Sequence, residues 1–174
     1  MTELEKLENQ PTNEQRSLLK RYLDQYHYAR RKKRVLEERL TAIRDDLKHP
    51  SISASIGGMP SAGNVSNGAA SLVFKEAEIV ERIKRQTEIA ATVIIDVMDM
   101  LEFLPADSTE KMILELRHID CKGWDEITQV VHLTRTPCFE HYRKGLDKLL
   151  SFKKVMQILE DFERRQMLAE KDGY

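Results

Sequence analysis

The sequence predicts an all-α protein, with a long N-terminal antiparallel helical hairpin joined to a C-terminal bundle of short helices that includes a helix-turn-helix. Three observations predict it. Two long runs carry apolar side chains in alternating steps of four and three, the spacing of a helical seam. A stretch rich in glycine and serine separates them. Beyond Pro105 the helical runs become short and are punctuated by caps and breaks.

The first run, "NEQRSLLKRYLDQYHYARRKKRVLEERLTAIRDDLKH", aligns Tyr22, Tyr26, Ala29, Lys33, Leu36, Leu40, Ile43 and Leu47 on one stripe, flawed only at Lys33. Pro50 stops it, because a proline turns the preceding residue away from the helical region. Four of the seven glycines follow within "GGMPSAGNVSNG", in a stretch from about residue 50 to 71 that has no apolar face and reads as a loop. The second run, "LVFKEAEIVERIKRQTEIAATVIIDVMDMLEFLP", repeats the stripe through Ile79, Ile83, Gln86, Ala90, Val93, Val97, Met100 and Leu104, and Pro105 ends it. Each helix is roughly 50 Å long at about 1.5 Å per residue.

Charge supports their pairing. Residues 16–48 hold eleven Lys/Arg against five Asp/Glu, whereas residues 72–104 hold four against seven. Two amphipathic helices of opposite sign joined by a loose loop are expected to fold back on one another, giving a hairpin over residues 12–104. Ile94, Ile95, Met98 and Leu101 widen the second helix's apolar face, so further burial is expected against the C-terminal unit or a second copy of the chain. The run "ARRKKR" (Ala29 to Arg34) reads first as a solvated helix face.

After Pro105, "DSTEKMILELRHI" opens with Asp107 or Ser108 as a cap and sets Met112, Ile113, Leu116 and Ile119 on one face. "CKG" breaks it at Gly123, and "WDEITQVVHL" turns Trp124, Ile127, Val130 and Val131 inward. Thr134 is placed to cap the next helix, and Pro137 falls in its first turn, where a missing N–H does little harm. That helix continues through Cys138, His141, Leu146 and Leu149, and residues 155–174 form a helical tail.

Three short helices with a tight connection between the last two are expected to be a DNA-binding helix-turn-helix over residues 106–154, in which the last helix enters the major groove. Taking Cys138, His141 and Leu146 as its inward side leaves Arg135, Thr136, Phe139, Glu140, Tyr142 and Arg143 facing outward, with Lys144 at the flank. From Thr134 to Lys154 the local net charge is +4 in a chain whose total is −1. Arg135 is placed to read guanine with its planar fork; Thr136 and Phe139 can meet a thymine methyl, and Glu140 can accept from cytosine. Thr134, Tyr142, Arg143, Lys144 and Lys148 are assigned to the DNA backbone, where they set register without reading sequence.

Composition narrows the rest. A near-neutral total excludes a uniformly basic nucleic-acid coat, so any cationic surface is local. No apolar run is long enough to span a bilayer, and a cytoplasmic protein is expected. Cys121 and Cys138 lack metal-ligand spacing and read as reduced thiols. The five histidines are scattered, with no HExxH and no phosphate-cradling glycine loop, so neither an enzyme nor a cofactor or metal is expected.

The segment "LRHIDCKGWDEITQVVHLTRTPCFEHYRKGLDKLL" resembles the promoter-reading helix-turn-helix at the C-terminus of sigma factors, their region 4. The long helical N-terminal half, the loop containing "GMP" and this unit together resemble the ArpU-like and RinA-like late-gene transcriptional regulators of bacteriophages and prophages. The resemblance implies promoter binding and control of packaging, structural and lysis genes, with Arg135, Thr136, Phe139 and Glu140 as reader and Lys144 on the backbone. The partners expected are double-stranded DNA, host RNA polymerase and a second copy of the chain. The sequence departs from the sigma pattern at Thr128, His132, Leu133, Phe139 and His141, and it lacks the aromatic, basic segment that melts promoter DNA. Two other readings stay open: a small terminase subunit-like packaging adaptor, although such proteins place their reader first, and an interaction module that grips RNA polymerase without touching DNA.

Overall fold

The structure, a computed structural model, describes residues 11–49 and 65–171, with backbone alone for 65–69 and 170. Among these residues it is all-helical, without strands. The helices are α1 (Asn13–Leu23), α2 (Gln25–Lys48), α3 (Val65–Leu101), α4 (Thr109–His118), α5 (Trp124–Val131), α6 (Arg135–Leu150) and α7 (Lys153–Lys171). None is long and apolar enough to cross a membrane. Packing divides the chain into two compact units. Tyr28–Ala91 form one, the hairpin unit; the residues up to His27 and those from Thr92 onward form the other, the terminal unit.

In the hairpin unit, the adjoining stretches of α2 and α3 run antiparallel. Gln86 near the end of its stretch meets Ala29 near the start of the other, while Glu76 meets Arg44. The stripe read from the sequence is the seam: Ala29, Leu36 and Gln86 are buried, and Lys33, Leu40, Ile43, Leu47, Ile79, Ile83 and Ala90 are half-buried. Gln86 is tolerated because its Nε2 donates to the Ala29 carbonyl at 3.3 Å, and Lys33 reaches Glu37 at 3.5 Å. The expected neutralisation across the seam is slight. Across it Arg44 Nε meets Glu76 Oε1 at 2.7 Å, whereas Lys33–Glu37, Arg34–Glu38 and Arg82–Glu78 each lie along a single helix at the four-residue spacing. The expected loop is corrected at its end, since α3 begins at Val65; residues 50–64 of it lie outside the described residues. Ala69 and Ala70, strong helix formers, extend the helix past Gly68.

In the terminal unit, α1 opens with a capping box: the Thr12 hydroxyl accepts from Gln15 N–H, and the Gln15 side chain accepts from Thr12 N–H. The continuous first helix expected from the sequence breaks at Asp24, whose carboxylate turns to His118 of α4. The core gathers Leu19 and Leu23 of α1, Val97, Met100 and Leu101 of α3, Ile113 and Leu114 of α4, Ile127 of α5, Leu146 and Leu149 of α6, and Val155 and Leu159 of α7. Hence Pro105 is not a packing boundary: α1 and the last turns of α3 share a core with α4–α7. The widened face of α3 is used in part, because Leu101 is buried while Ile95 and Met98 stay exposed.

Two local expectations are corrected. On α4 the buried face is Ile113, Leu114 and Leu116, with Met112 exposed, and on α5 Val130 is exposed. Both helices are short, so a shift of one position in the stripe costs the sequence pattern almost nothing. Helix α7 is a separate element that buries Val155, Leu159 and Phe162, spaced four and three apart, and Phe162 meets Tyr22 edge-on at 5.3 Å.

Candidate nucleic-acid interface

Helices α5 and α6 are joined by His132, Leu133 and Thr134. His132 takes the left-handed conformation, φ 54° and ψ 38°, and its N–H donates to the Thr128 carbonyl. A glycine is the usual occupant of such a position, which the sequence signalled only by its absence. The Leu133 N–H also returns to Thr128, at 3.2 Å. Thr134 stands at the N-cap in extended backbone, without a side-chain cap bond, and its carbonyl receives the Cys138 N–H at 3.2 Å. At the start of α5, the Gly123 N–H is satisfied by Glu126 Oε2 at 2.9 Å.

The inner side of α6 consists of Cys138, Tyr142, Gly145, Leu146, Leu149 and Leu150. Gly145 permits close packing on α4, because a Cβ there would lie 2.8 Å from Leu114 Cδ1 and 3.2 Å from Glu110 Cβ. Burial raises the pKa of the Cys138 thiol, and both cysteines are free.

Two assignments change. Tyr142 points inward at 8 % exposure, so the sequence reading of it as an outward, DNA-backbone residue is corrected. His141, expected in the core, is half-buried and meets Glu110 Oε1 through Nδ1 at 3.2 Å. The helix is rotated slightly from the sequence assignment because the polar tip of tyrosine has a buried partner. The Tyr142 hydroxyl lies 3.1 Å from His118 Nε2, and His118 Nδ1 lies 2.9 Å from Asp24 Oδ1. A proton on Nδ1, donated to Asp24, lets Nε2 accept from the tyrosine hydroxyl and satisfies all three groups. Burial raises the Tyr142 pKa strongly, helped by the Asp24 charge and opposed by Arg117. Asp24 is pushed up by burial, but the hydrogen bond and charge of His118, with Arg117 and His27, bring it below its ordinary value. The chain of contacts ties the α1–α2 junction to α4 and α6.

The outward side of α6 separates into two parts. Between Arg135 and Lys144, the side chains of Arg135, Thr136, Phe139, Glu140, Arg143 and Lys144 are exposed. None of the charged groups there forms an ion pair among the described residues. Phe139 is anchored on Trp124, ring centroids 4.3 Å apart, and still presents an edge to solvent at 40 % exposure. The last turn is occupied. Lys148 Nζ meets Glu110 Oε2 at 3.3 Å, and Asp147 takes the Arg16 guanidinium in a two-point contact, Nε to Oδ1 at 2.6 Å and Nη2 to Oδ2 at 3.2 Å. Burial pushes the Glu110 carboxyl up, yet its own backbone N–H, His141 and Lys148 leave it below the ordinary value.

Sequence reasoning missed the flank. Helix α1 packs beside α6, bringing Lys20 over the Tyr142 ring at 5.7 Å. Arg117 lies over Trp124 at 5.3 Å and donates to the Lys122 carbonyl at 2.9 Å. With Arg16 and Arg143 these cations border a shallow depression beside the exposed face of α6. Nothing in the local sequence of α1 signals this neighbour. Among the described residues, no group of three or more His, Cys, Asp and Glu side chains converges as a metal site. The chain matches no protein-family model, no curated protein and no solved structure.

Proposed function

We propose that this chain is a sequence-specific, DNA-binding transcriptional regulator of the phage late-gene type, reading promoter DNA with the first half of α6. In this reading α4, α5 and α6 form a helix-turn-helix like that of sigma region 4. The observation that carries it is the contrast along α6. Asp147 and Lys148 are consumed by partners within the terminal unit, whereas Arg135, Glu140, Arg143 and Lys144 stand exposed without one among the described residues. Exposed, unpaired cations beside polar groups at the N-terminal end of a second helix match the geometry with which such helices meet base edges and phosphates.

Roles follow from position. Arg135 and Thr136, in the first turn, are set to reach bases, with Phe139 and Glu140 one turn on. Arg143 and Lys144 meet phosphates, and Lys20 and Arg117 extend that cationic flank. Lys148 is reserved for Glu110 and contributes little. In a fluorescence-anisotropy titration, Lys144→Ala is expected to weaken binding to every duplex and reduce the salt slope by about 1. Arg135→Ala is expected to cost about 1–3 kcal/mol on the preferred sequence and little on others. Equal losses on all duplexes for Arg135→Ala contradict the base-reading role.

A further inference from the structure

The basic run from Ala29 to Arg34 has no role in the helix-turn-helix, and the hairpin unit shows what it joins. Arg31, Lys32 and Arg39 of α2 line one groove with Arg82 and Arg85 of α3, and no carboxylate lines it. Lys33, Arg34 and Arg44 each have a carboxylate partner, as does Arg82 in Glu78. Arg31, Lys32, Arg39 and Arg85 have none among the described residues, and all four are exposed. The hairpin's ion pairs thus leave four exposed cations facing one groove.

We infer that this groove is a second, sequence-independent binding site for the phosphate backbone of duplex DNA. The choice of polyanion rests on the DNA-binding reading of α6; the groove itself does not. From Arg31 to Arg39 the cations extend about 12 Å along α2, at about 1.5 Å per residue. The exposed large apolar side chains, Tyr28 and Ile89, stand at one end, and Val35 farther along is half-buried. Along the rest of the floor, Leu36 and Gln86 are buried in the seam. An amphipathic partner helix needs apolar anchors repeated along its length, whereas a row of phosphates needs only donors spaced along a line. Arginine dominates the groove, and its planar fork suits phosphate oxygens. Two cationic surfaces in one chain provide one site that selects sequence and one that adds affinity and salt dependence.

The test uses the full chain and a fluorescein-labelled 30-base-pair duplex of random sequence (about three helical turns), titrated across a range of NaCl concentrations. The triple variant Arg31→Gln, Arg39→Gln, Arg85→Gln removes three exposed charges and keeps side chains with good helix propensity. The slope of log affinity against log salt is expected to fall by about 2–3, and to be restored by the corresponding triple lysine variant. Circular dichroism checks that both variants keep the parent's helix content. An unchanged slope in the folded glutamine variant overturns the inference, as does a parent chain that does not hold the duplex. Binding of polyglutamate that depends on the three arginines, with the DNA slope unaltered, also overturns it and assigns the groove to an acidic protein. Lys144→Ala is measured in parallel: if it leaves the slope intact while the triple variant lowers it, the groove stands and the reading of α6 fails.

Discussion

The two units are built from the same kind of amphipathic helix and are held together in different ways. The terminal unit has a continuous core drawn from six helices, with buried polar groups tied across elements by Asp24, His118, Tyr142, Glu110 and Lys148. The hairpin unit buries Ala29, Leu36 and Gln86 among its described residues, with the Arg44–Glu76 ion pair across its seam. A wide core fixes which side of α6 faces solvent, as the proposed reading of bases requires. A narrow seam leaves most side chains on the surface, which suits a charged groove but adds little stability per residue.

The sharpest way to break this comparison is to cut into each core. Leu149→Ala, at a position fully buried in the terminal unit, is expected to cost about 2–5 kcal/mol, read by urea denaturation through the fluorescence of Trp124. Trp124 is the single tryptophan and lies in the terminal unit, so its signal reports that unit. Leu36→Ala in the seam is expected to cost no more than about 2 kcal/mol and to move the circular-dichroism transition with little effect on Trp124. Equal shifts of both signals by Leu36→Ala would show that the units unfold as one.

His118→Ala comes next. It leaves the buried Tyr142 hydroxyl without its partner, expected to cost about 1–3 kcal/mol before any cavity term. The companion change Tyr142→Phe, made in the His118→Ala background, is expected to recover part of that loss; no recovery in a double-mutant cycle contradicts the tie. Gly145→Val is expected to lose about 1–3 kcal/mol by forcing α6 away from Leu114 and Glu110 of α4. Unchanged stability there would mean that the helices have room the close approach denies.

The smallest effect is a pH dependence confined to the terminal unit. Asp24 and Glu110 both have folded pKa values below their ordinary ones, so the unfolded chain binds more protons as the medium is acidified. Their stabilisation is complete above the ordinary carboxylate range, about pH 4, and declines as the pH falls through the lowered values. Asp24→Asn is expected to flatten the acid limb of a stability-against-pH curve read by Trp124. A curve parallel to the parent's removes Asp24 from the account.

How much of this was legible in the sequence depends on the length of each pattern. The seam was readable because Ala29, Leu36 and Gln86 recur within stripes long enough to exclude other faces. Met112 was misread because a helix of 10 residues leaves its phase loose by one position, and Tyr142 because its buried hydroxyl has a partner remote in sequence. For Tyr142 that partner is His118, 24 positions away, and for Asp24 it is 94 positions away. Arg16 and Asp147 are farther apart still, at 131 positions, so the flank that α1 gives to α6 leaves no local mark. On α6 itself, the exposed faces of Arg135, Thr136, Phe139, Glu140, Arg143 and Lys144 were legible, since charge there had no competing burial.

The central claim is that the first half of α6 selects DNA sequence. The most direct measurement is repeated selection of duplexes bound by the full chain from a randomised pool, carried out in parallel with Arg135→Ala. The account predicts that the parent enriches one short motif and that the variant enriches the same motif with one base pair relaxed. Recovery of no motif by the parent, or of an unaltered motif by the variant, contradicts it.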